Sequence, residues 1–492
     1  MSALRHILLW FILSSITASA QSAWHFNRIH DMHANMESVQ SIYATDSGFV
    51  ASSVYSDSVG SVGCQFLIFD SLGDLISSKT IHLNWKFYYP GWCQSMIRTN
   101  DGGYALCGTL ADTLSKRMLL IRYDNDGDTV WTKVYSGDSS SVGYQCKQAR
   151  DGGFVLVGVS DDVSYWGDAI LIKTDSLGNE EWRNYYGGTN FEYGVTVAIA
   201  NDGGYIIGGE TRSFSGSVDQ IVFKVDSLGQ QEWFEVIGGQ FDDADAVVMV
   251  SRDSNYLVGG SWTYSQPLGP GLGIPRGKIY LAKVDTSGNI MWSNTYGQSN
   301  VNTTVTAMIE KSDGSVAVTG ITAISGVTRA FILEVDENGD SLRMRTYVYQ
   351  TSTLNYPCGI DTTSDGGYIV GGYTNVVTLQ SWIFKVDSLL CVVAGCDGVD
   401  TDEYELAEKE RINIYPNPCS EFVTLSFDLP MAYPVEFILT DLSGRIVLRQ
   451  QFASCNTVET IYFPELPEGV YLYQVVAQEN VLTMDKILIL NQ

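Results

Sequence analysis

A four-residue turn, Asp-Gly-Gly followed by an aromatic residue, recurs at Asp101–Tyr104, Asp151–Phe154, Asp202–Tyr205 and Asp365–Tyr368. Looser copies stand at Asp46–Phe49, Asp253–Tyr256 and Asp313–Val316, giving seven copies at intervals of roughly fifty to sixty residues. A period of that size constrains the fold more than composition does. Each unit must be one supersecondary element that buries its faces against its neighbours.

A second landmark follows each turn. An apolar run ends at Asp70, Asp124, Asp175, Asp226, Asp285, Asp336 or Asp387, and six of the seven continue as Asp-x-x-Gly. The last copy reads Asp387-Ser388-Leu389-Leu390. Glycine there suits the left-handed position of a bulged hairpin turn. Four units place a tryptophan four residues after the glycine: Trp131, Trp182, Trp233 and Trp292. Alternating, β-branched segments between these turns predict four strands per unit, with Gly194–Ala200, Tyr205–Glu210, Gln220–Val225 and Glu232–Val236 as the clearest set. Helix signals are absent, while 48 glycines, 28 tyrosines and 11 tryptophans suit a turn-rich all-β chain. The expectation is an all-β protein: a seven-bladed β-propeller over residues 21–390, followed by a small C-terminal β-sandwich.

A ring of sheets must close, or its first and last members expose edges. The seventh unit lacks its tryptophan strand, and Ser22–Ile29 has the shape of that missing strand, so it is expected to complete the last blade. The pattern Asp-Gly-Gly-Tyr, Lys-x-Asp, Gly-x-x-x-Trp and Tyr-Gly-Gly resembles repeats of exported propeller proteins of Bacteroidetes-type bacteria, over about residues 24–390. The tryptophan spacing is similar to motifs whose indole packs between blades, so these four side chains are read as structural spacers.

Both ends of the chain concern delivery. Arg5 and His6, the apolar run Ile7–Ile16 and Ala18-Ser19-Ala20 form a secretory signal peptide over residues 1–20. Residues 391–411 read as a charged linker. Residues 412–492 carry Tyr415-Pro416-Asn417-Pro418, a turn at Gly444, Gly469-Val470-Tyr471 and Lys486 among short alternating strands, which predicts a β-sandwich. Their order resembles the type A C-terminal sorting domain of the type IX secretion system. That resemblance implies the secretion machinery and its sortase as partners, passage across the outer membrane, and release or attachment to anionic lipopolysaccharide.

A formal net charge of −27 argues against nucleic acid and anionic membrane surfaces as partners. No segment beyond the signal is long and apolar enough to span a membrane, so none is expected in the mature chain. Nine cysteines leave at least one without an intramolecular partner; Cys391 and Cys396 are the disulfide candidates. Cys64, Cys93, Cys107, Cys146 and Cys358 sit in strand-like segments as buried small hydrophobes. No Cys/His cluster suggests a metal, no cofactor motif is present, and Ser-His-Asp catalysis has no anchor.

Strand parity divides the disc. The Asp-Gly-Gly and Asp-x-x-Gly turns share one face, while the variable connections, among them Asp161–Asp168, Thr211–Asp219 and Trp262–Lys278, share the other. On that loop face Tyr165, Trp166, Phe191, Trp262 and Tyr264 are the candidate ligand contacts, for a glycan or a surface protein. The favoured reading is a non-catalytic binding or adhesion module. The alternatives are a structural spacer and a polysaccharide-acting hydrolase or lyase, whose acids would come from Asp161, Asp162, Asp168, Asp219, Asp242, Asp243 and Asp245.

Overall fold

The computed structural model describes residues 26–392 and 412–490, except 31–35, 57–61, 82–86, 113–114, 138–139, 162–166, 215–216, 240, 244–245, 270–271, 301–302, 325, 350–351, 377, 416–418, 428–434, 442–444, 453–457, 465 and 478–479. All of its regular elements are strands.

Seven antiparallel sheets follow one another along the chain, six of them running from an inner to an outer strand in sequence order. Sheet 4 shows the plan: β15 (Glu192–Ile199), β16 (Tyr205–Thr211), β17 (Asp219–Val225) and β18 (Gln231–Ile237). The third strand is buried on both faces, as in β17, where every residue is buried and an apolar centre, Ile221–Phe223, is flanked by the buried polar side chains of Gln220 and Lys224. The outermost strand alternates exposed and half-buried positions, as β5 (Leu75–Ile81) of the first sheet does. The first sheet, which opens with β2 (Met36–Ala44), packs against β27 (Asn355–Thr362) and β28 (Tyr368–Thr374) of the seventh. The sheets therefore close into a seven-bladed ring. The outermost strand of sheet 7 is β1 (Phe26–His30), which pairs with β29 (Gln380–Val386) from Phe26↔Lys385 to His30↔Ser381.

Successive blades are joined by side chains of the outer strands. A Cβ on Gly178 would fall 2.8 Å from the Trp131 ring, so only glycine admits that indole over the turn. Trp182, Trp233 and Trp292 dock likewise on Gly229, Gly288 and Gly339 of the next blade, as spacers. The tyrosine four residues on completes the joint: the Tyr135 and Tyr186 hydroxyls donate to the Gly178 and Gly229 carbonyls at 3.0 and 2.8 Å. In sheet 7 the turn position holds Leu390 at φ 65°, a left-handed conformation that its complete burial offsets.

Within a blade, the lysine of Lys-x-Asp on the third strand reaches back to the Asp-Gly-Gly aspartate. Lys173 meets Asp151 at 2.6 Å and Glu181 at 2.8 Å; Lys224 meets Asp202 at 2.6 Å and also Glu232; Lys283 meets Asp253 at 2.7 Å. Sheet 6 inverts the charges: Glu334 stands at the lysine position, with Lys311 at 3.2 Å and Arg343 at 2.6 Å.

Residues 412–490 form a separate sandwich of two sheets. One holds β30 (Ile412–Tyr415), β31 (Phe422–Phe427) and β34 (Val458–Tyr462); the other holds β32 (Val435–Thr440), β33 (Ile446–Phe452), β35 (Gly469–Ala477) and β36 (Asn480–Ile489). Val423, Leu425, Phe437, Val475 and Ile487 fill the space between them.

Candidate functional site

The two faces of the ring differ in how their connections are made. On the turn face both connections are short and self-satisfied: Asp175 Oδ1 accepts from the backbone amides of Leu177 and Asn179 at 2.9 and 2.8 Å, and other blades repeat this. This also settles Asp124–Asp128 and Asp336–Asp340, whose leading carboxylates cap the same turn.

On the loop face, Trp262–Lys278 is not an irregular loop. The strands β20 (Tyr256–Gly269) and β21 (Leu272–Val284) stay in register out to Pro267↔Gly273 and, past one bulge, pair to Gly269↔Leu272, making a two-stranded ribbon that extends the blade. Paired backbone carries the chain out in place of loose structure, with Pro267 and Pro275 on the ribbon.

The acids of this face have structural partners that repeat from blade to blade. Asp243 is fully buried, and its two oxygens accept from the backbone amides of Gly239, at 2.8 Å, and Thr263. Glu192 holds the corresponding place one blade earlier, accepting from Gly188 at 2.7 Å and from the Thr211 hydroxyl at 2.6 Å. Asp219 and Asp168 form a second repeated pair. A Cβ on Gly238 or Gly187 would fall 2.1 or 2.0 Å from their respective carboxylates, so each acid packs against a bare glycine. Asp242 accepts from the Val218 amide at 2.9 Å. Burial pushes the Asp243 carboxyl up to about 6, its backbone amides opposing and the nearby Asp219 adding to the rise. Asp161 ends β12 (Phe154–Asp161); its side chain, and all of Asp162 and Asp245, lie outside the described residues.

An open cleft of about 650 Å³ lies between sheets 4 and 5. Its walls include Ile237 and Gly238 of sheet 4 and Trp262, Tyr280, Ser293 and Thr295 of sheet 5. Trp262 stacks on Tyr280 with centroids 5.4 Å apart and an interplanar angle of 28°. Tyr280 is buried beneath it and hydrogen-bonds Ser293; burial raises the Tyr280 hydroxyl pKa, the Ser293 bond opposing and Asp243 adding. The cleft is open because of what the repeat leaves out. Register against the third strand places Ser293 where sheets 3, 4 and 6 have Arg183, Phe234 and Met344. Sheets 1 and 2 are also short there, with Ser78 and Thr132, but only sheet 5 adds the Trp262–Tyr280 pair.

Of the two aromatic candidates whose side chains are described, Trp262 lines this cleft and Phe191 does not. Phe191 stacks on Tyr193 at 4.8 Å, between sheets 3 and 4. Tyr264 lies on β20 and pairs with Arg276, but its side chain lies outside the described residues, as do Tyr165 and Trp166. Sequence reasoning missed Tyr280 and Ser293, although alignment of the outer strands on their tryptophans would have exposed the serine.

A second irregularity sits at the axis. Inner strands carry a one-residue bulge, as between Gly143 and Gln145 or Gly194 and Thr196. In sheet 2 it grows to Gly91–Ser95, between β6 (Phe87–Pro90) and β7 (Met96–Arg98), closed by Gly91 N to Cys107 O at 2.8 Å and Cys107 N to Ser95 O at 2.9 Å. It carries Trp92 edge-on to Tyr356 of the seventh sheet at 6.3 Å.

In the C-terminal sandwich, Tyr471 is buried and its hydroxyl donates to the Pro467 carbonyl at 2.9 Å, pinning the corner that leads into β35. Gly469 opens that strand, Tyr415 ends β30 half exposed, and Lys486 pairs with Leu472. Pro416, Asn417, Pro418 and Gly444 lie outside the described residues, as does the Lys486 side chain. Cys391 is disulfide-bonded, and Cys396, its candidate partner, lies outside the described residues. Cys64, Cys107, Cys146 and Cys358 are buried thiols. Among the described residues no group of three metal-ligating side chains occurs, and no helix is long and apolar enough to cross a membrane.

These features define an exported protein with a seven-bladed propeller body and a C-terminal sorting domain. Residues 413–490 match the family of the secretion system C-terminal sorting domain, the signal of export across an outer membrane to the cell surface or the medium. No curated protein is detectably similar in sequence. Among solved structures, the chain is similar to the WD40 domain of Toxoplasma gondii coronin (10% identity, TM-score 0.47, 76% of this chain and 86% of that one). It is also similar to the polysaccharide lyase Uly1 (11%, TM-score 0.44, 71% and 90%) and to a puromycin hydrolase (10%, TM-score 0.45, 89% and 58%).

Proposed function

We propose that this chain is a non-catalytic binding or adhesion module. Type IX secretion delivers it, a sortase frees it from its C-terminal domain, and it is then held at the cell surface, through anionic lipopolysaccharide, or released. Recognition falls to the loop face, and the cleft between sheets 4 and 5 is its ligand site. The observation that carries this reading is the contrast on that face. Both oxygens of Asp243 are taken by backbone amides, and those of Glu192 one blade earlier by a backbone amide and the Thr211 hydroxyl, while Trp262 overlooks an unfilled cleft. A general acid or nucleophile needs a carboxylate oxygen free to meet its substrate.

The polysaccharide hydrolase or lyase remains the second reading, favoured by one observation: Asp243 has a raised pKa and Asp219 close by, next to the cleft. Glycan arrays and a reducing-end assay on the same purified chain separate the two. The binding module gives saturable capture, lost in Trp262→Ala, with no new reducing ends. Turnover abolished by Asp243→Asn or Asp219→Asn overturns it. A chain that captures nothing is the plain spacer.

A further inference from the structure

We infer that the cleft between sheets 4 and 5 takes a neutral pyranose segment of a polysaccharide, one sugar face laid on the Trp262 indole. This deepens the proposed function and rests on it.

Three observations select that chemistry. The first is the platform. Trp262 is held from below by Tyr280 at 5.4 Å, so its ring is fixed in orientation before any ligand arrives. A pyranose presents a face of C–H bonds that suits an aromatic plane. The second is the rim. Ser293 and Thr295 stand side by side on β22 (Ile290–Asn300), both exposed, offering hydroxyls that donate and accept as sugar hydroxyls do. The third is charge. Among the described residues no charged side chain lines the cleft, and the nearby Asp243 has both oxygens on backbone amides. An anionic sugar would approach a chain of net charge −27, which disfavours it. A volume of about 650 Å³ lies within the range of small-ligand sites.

The position of Ser293 supplies an unusually clean variant. Sheet 4 carries Phe234 at the equivalent place, where it stacks on Phe223 with centroids 6.1 Å apart, so this fold already accommodates a phenyl ring there. Ser293→Phe should fill the cleft without unfolding the blade.

The test titrates the mature chain, by calorimetry and tryptophan fluorescence, with three probe classes. These are neutral hexasaccharides (cellohexaose, mannohexaose, xylohexaose), oligogalacturonate, and a reduced carboxymethylated protein as the extended-peptide probe. The inference expects a neutral hexasaccharide to bind, and both Trp262→Ala and Ser293→Phe to weaken it by about tenfold or more. Oligogalacturonate and peptide should bind at least about tenfold more weakly than the best neutral sugar. If the ligand lost in Ser293→Phe is the oligogalacturonate or the peptide, the sugar class is wrong while the recognition cleft stands. If neither variant weakens any probe, both the inference and the proposed site fail.

Discussion

Phe234 and Ser293 occupy the same place in successive repeats, yet the grooves they face have opposite characters. Between sheets 3 and 4, Phe234 lies against Phe223, and Phe214 covers it at 5.2 Å, so the groove is solid. Between sheets 4 and 5, Ser293 leaves a cleft over which Trp262 projects. The rest of the joint is nearly unchanged: Trp182 on Gly229, Trp233 on Gly288, and a lysine stapled to the Asp-Gly-Gly turn in each blade. A repeat can therefore give up one packing residue for a ligand site while its structural staples carry the load. The comparison teaches that function in such an array is found where a unit departs from its neighbours.

The largest effect expected is in the filled groove. Phe234→Ala should cost about 3 kcal/mol of stability, read as a fall in the urea midpoint, because it empties a packed site. Ser293→Ala should cost almost nothing. Equal losses would mean that the cleft is as tightly packed as its neighbour.

Asp243 gives a pH-dependent contrast. Its folded pKa of about 6 exceeds the usual 3.8. The folded chain therefore holds a proton that the unfolded chain lacks between about pH 4 and 6. Stability should rise by on the order of 2 kcal/mol as pH falls from 7 to about 4, and Asp243→Asn should flatten that rise. The turn-face aspartates act oppositely. Lys173 holds Asp151, and Lys224 holds Asp202, below the ordinary carboxylate range despite some opposing burial. Their contribution is lost only as pH drops below about 4.

Smaller effects follow. Tyr471→Phe should cost the C-terminal sandwich about 1 kcal/mol, the worth of one hydrogen bond, and leave the propeller transition unmoved. Ser293→Phe should shift stability by no more than about 0.5 kcal/mol in either direction if the cleft accepts the ring as sheet 4 does.

Much of this architecture is legible in the chain itself. The Asp-x-x-Gly spacing carries both the sheet count and the outer-strand tryptophans, because each glycine answers a local backbone need and each indole needs that glycine. Parity alone separates the turn face from the loop face. The cleft is less legible. Trp262 stands out as an aromatic residue, but Tyr280 lies inside an ordinary apolar strand and Ser293 is notable only beside Phe234, once the registers are aligned. The Trp262–Lys278 ribbon was hidden by its prolines and glycines, which read as loop chemistry although the two strands stay paired. The jobs of Asp243 and Asp219 were hidden because their partners are backbone amides and a glycine, which leave no charged signature in sequence.

The most direct measurement is a crystal structure of the mature chain soaked with its tightest oligosaccharide. The account predicts sugar density between sheets 4 and 5, one ring parallel to the Trp262 indole and within hydrogen-bonding reach of Ser293. Density at the axis beside Trp92, or across the filled groove at Phe214 and Phe234, would contradict it.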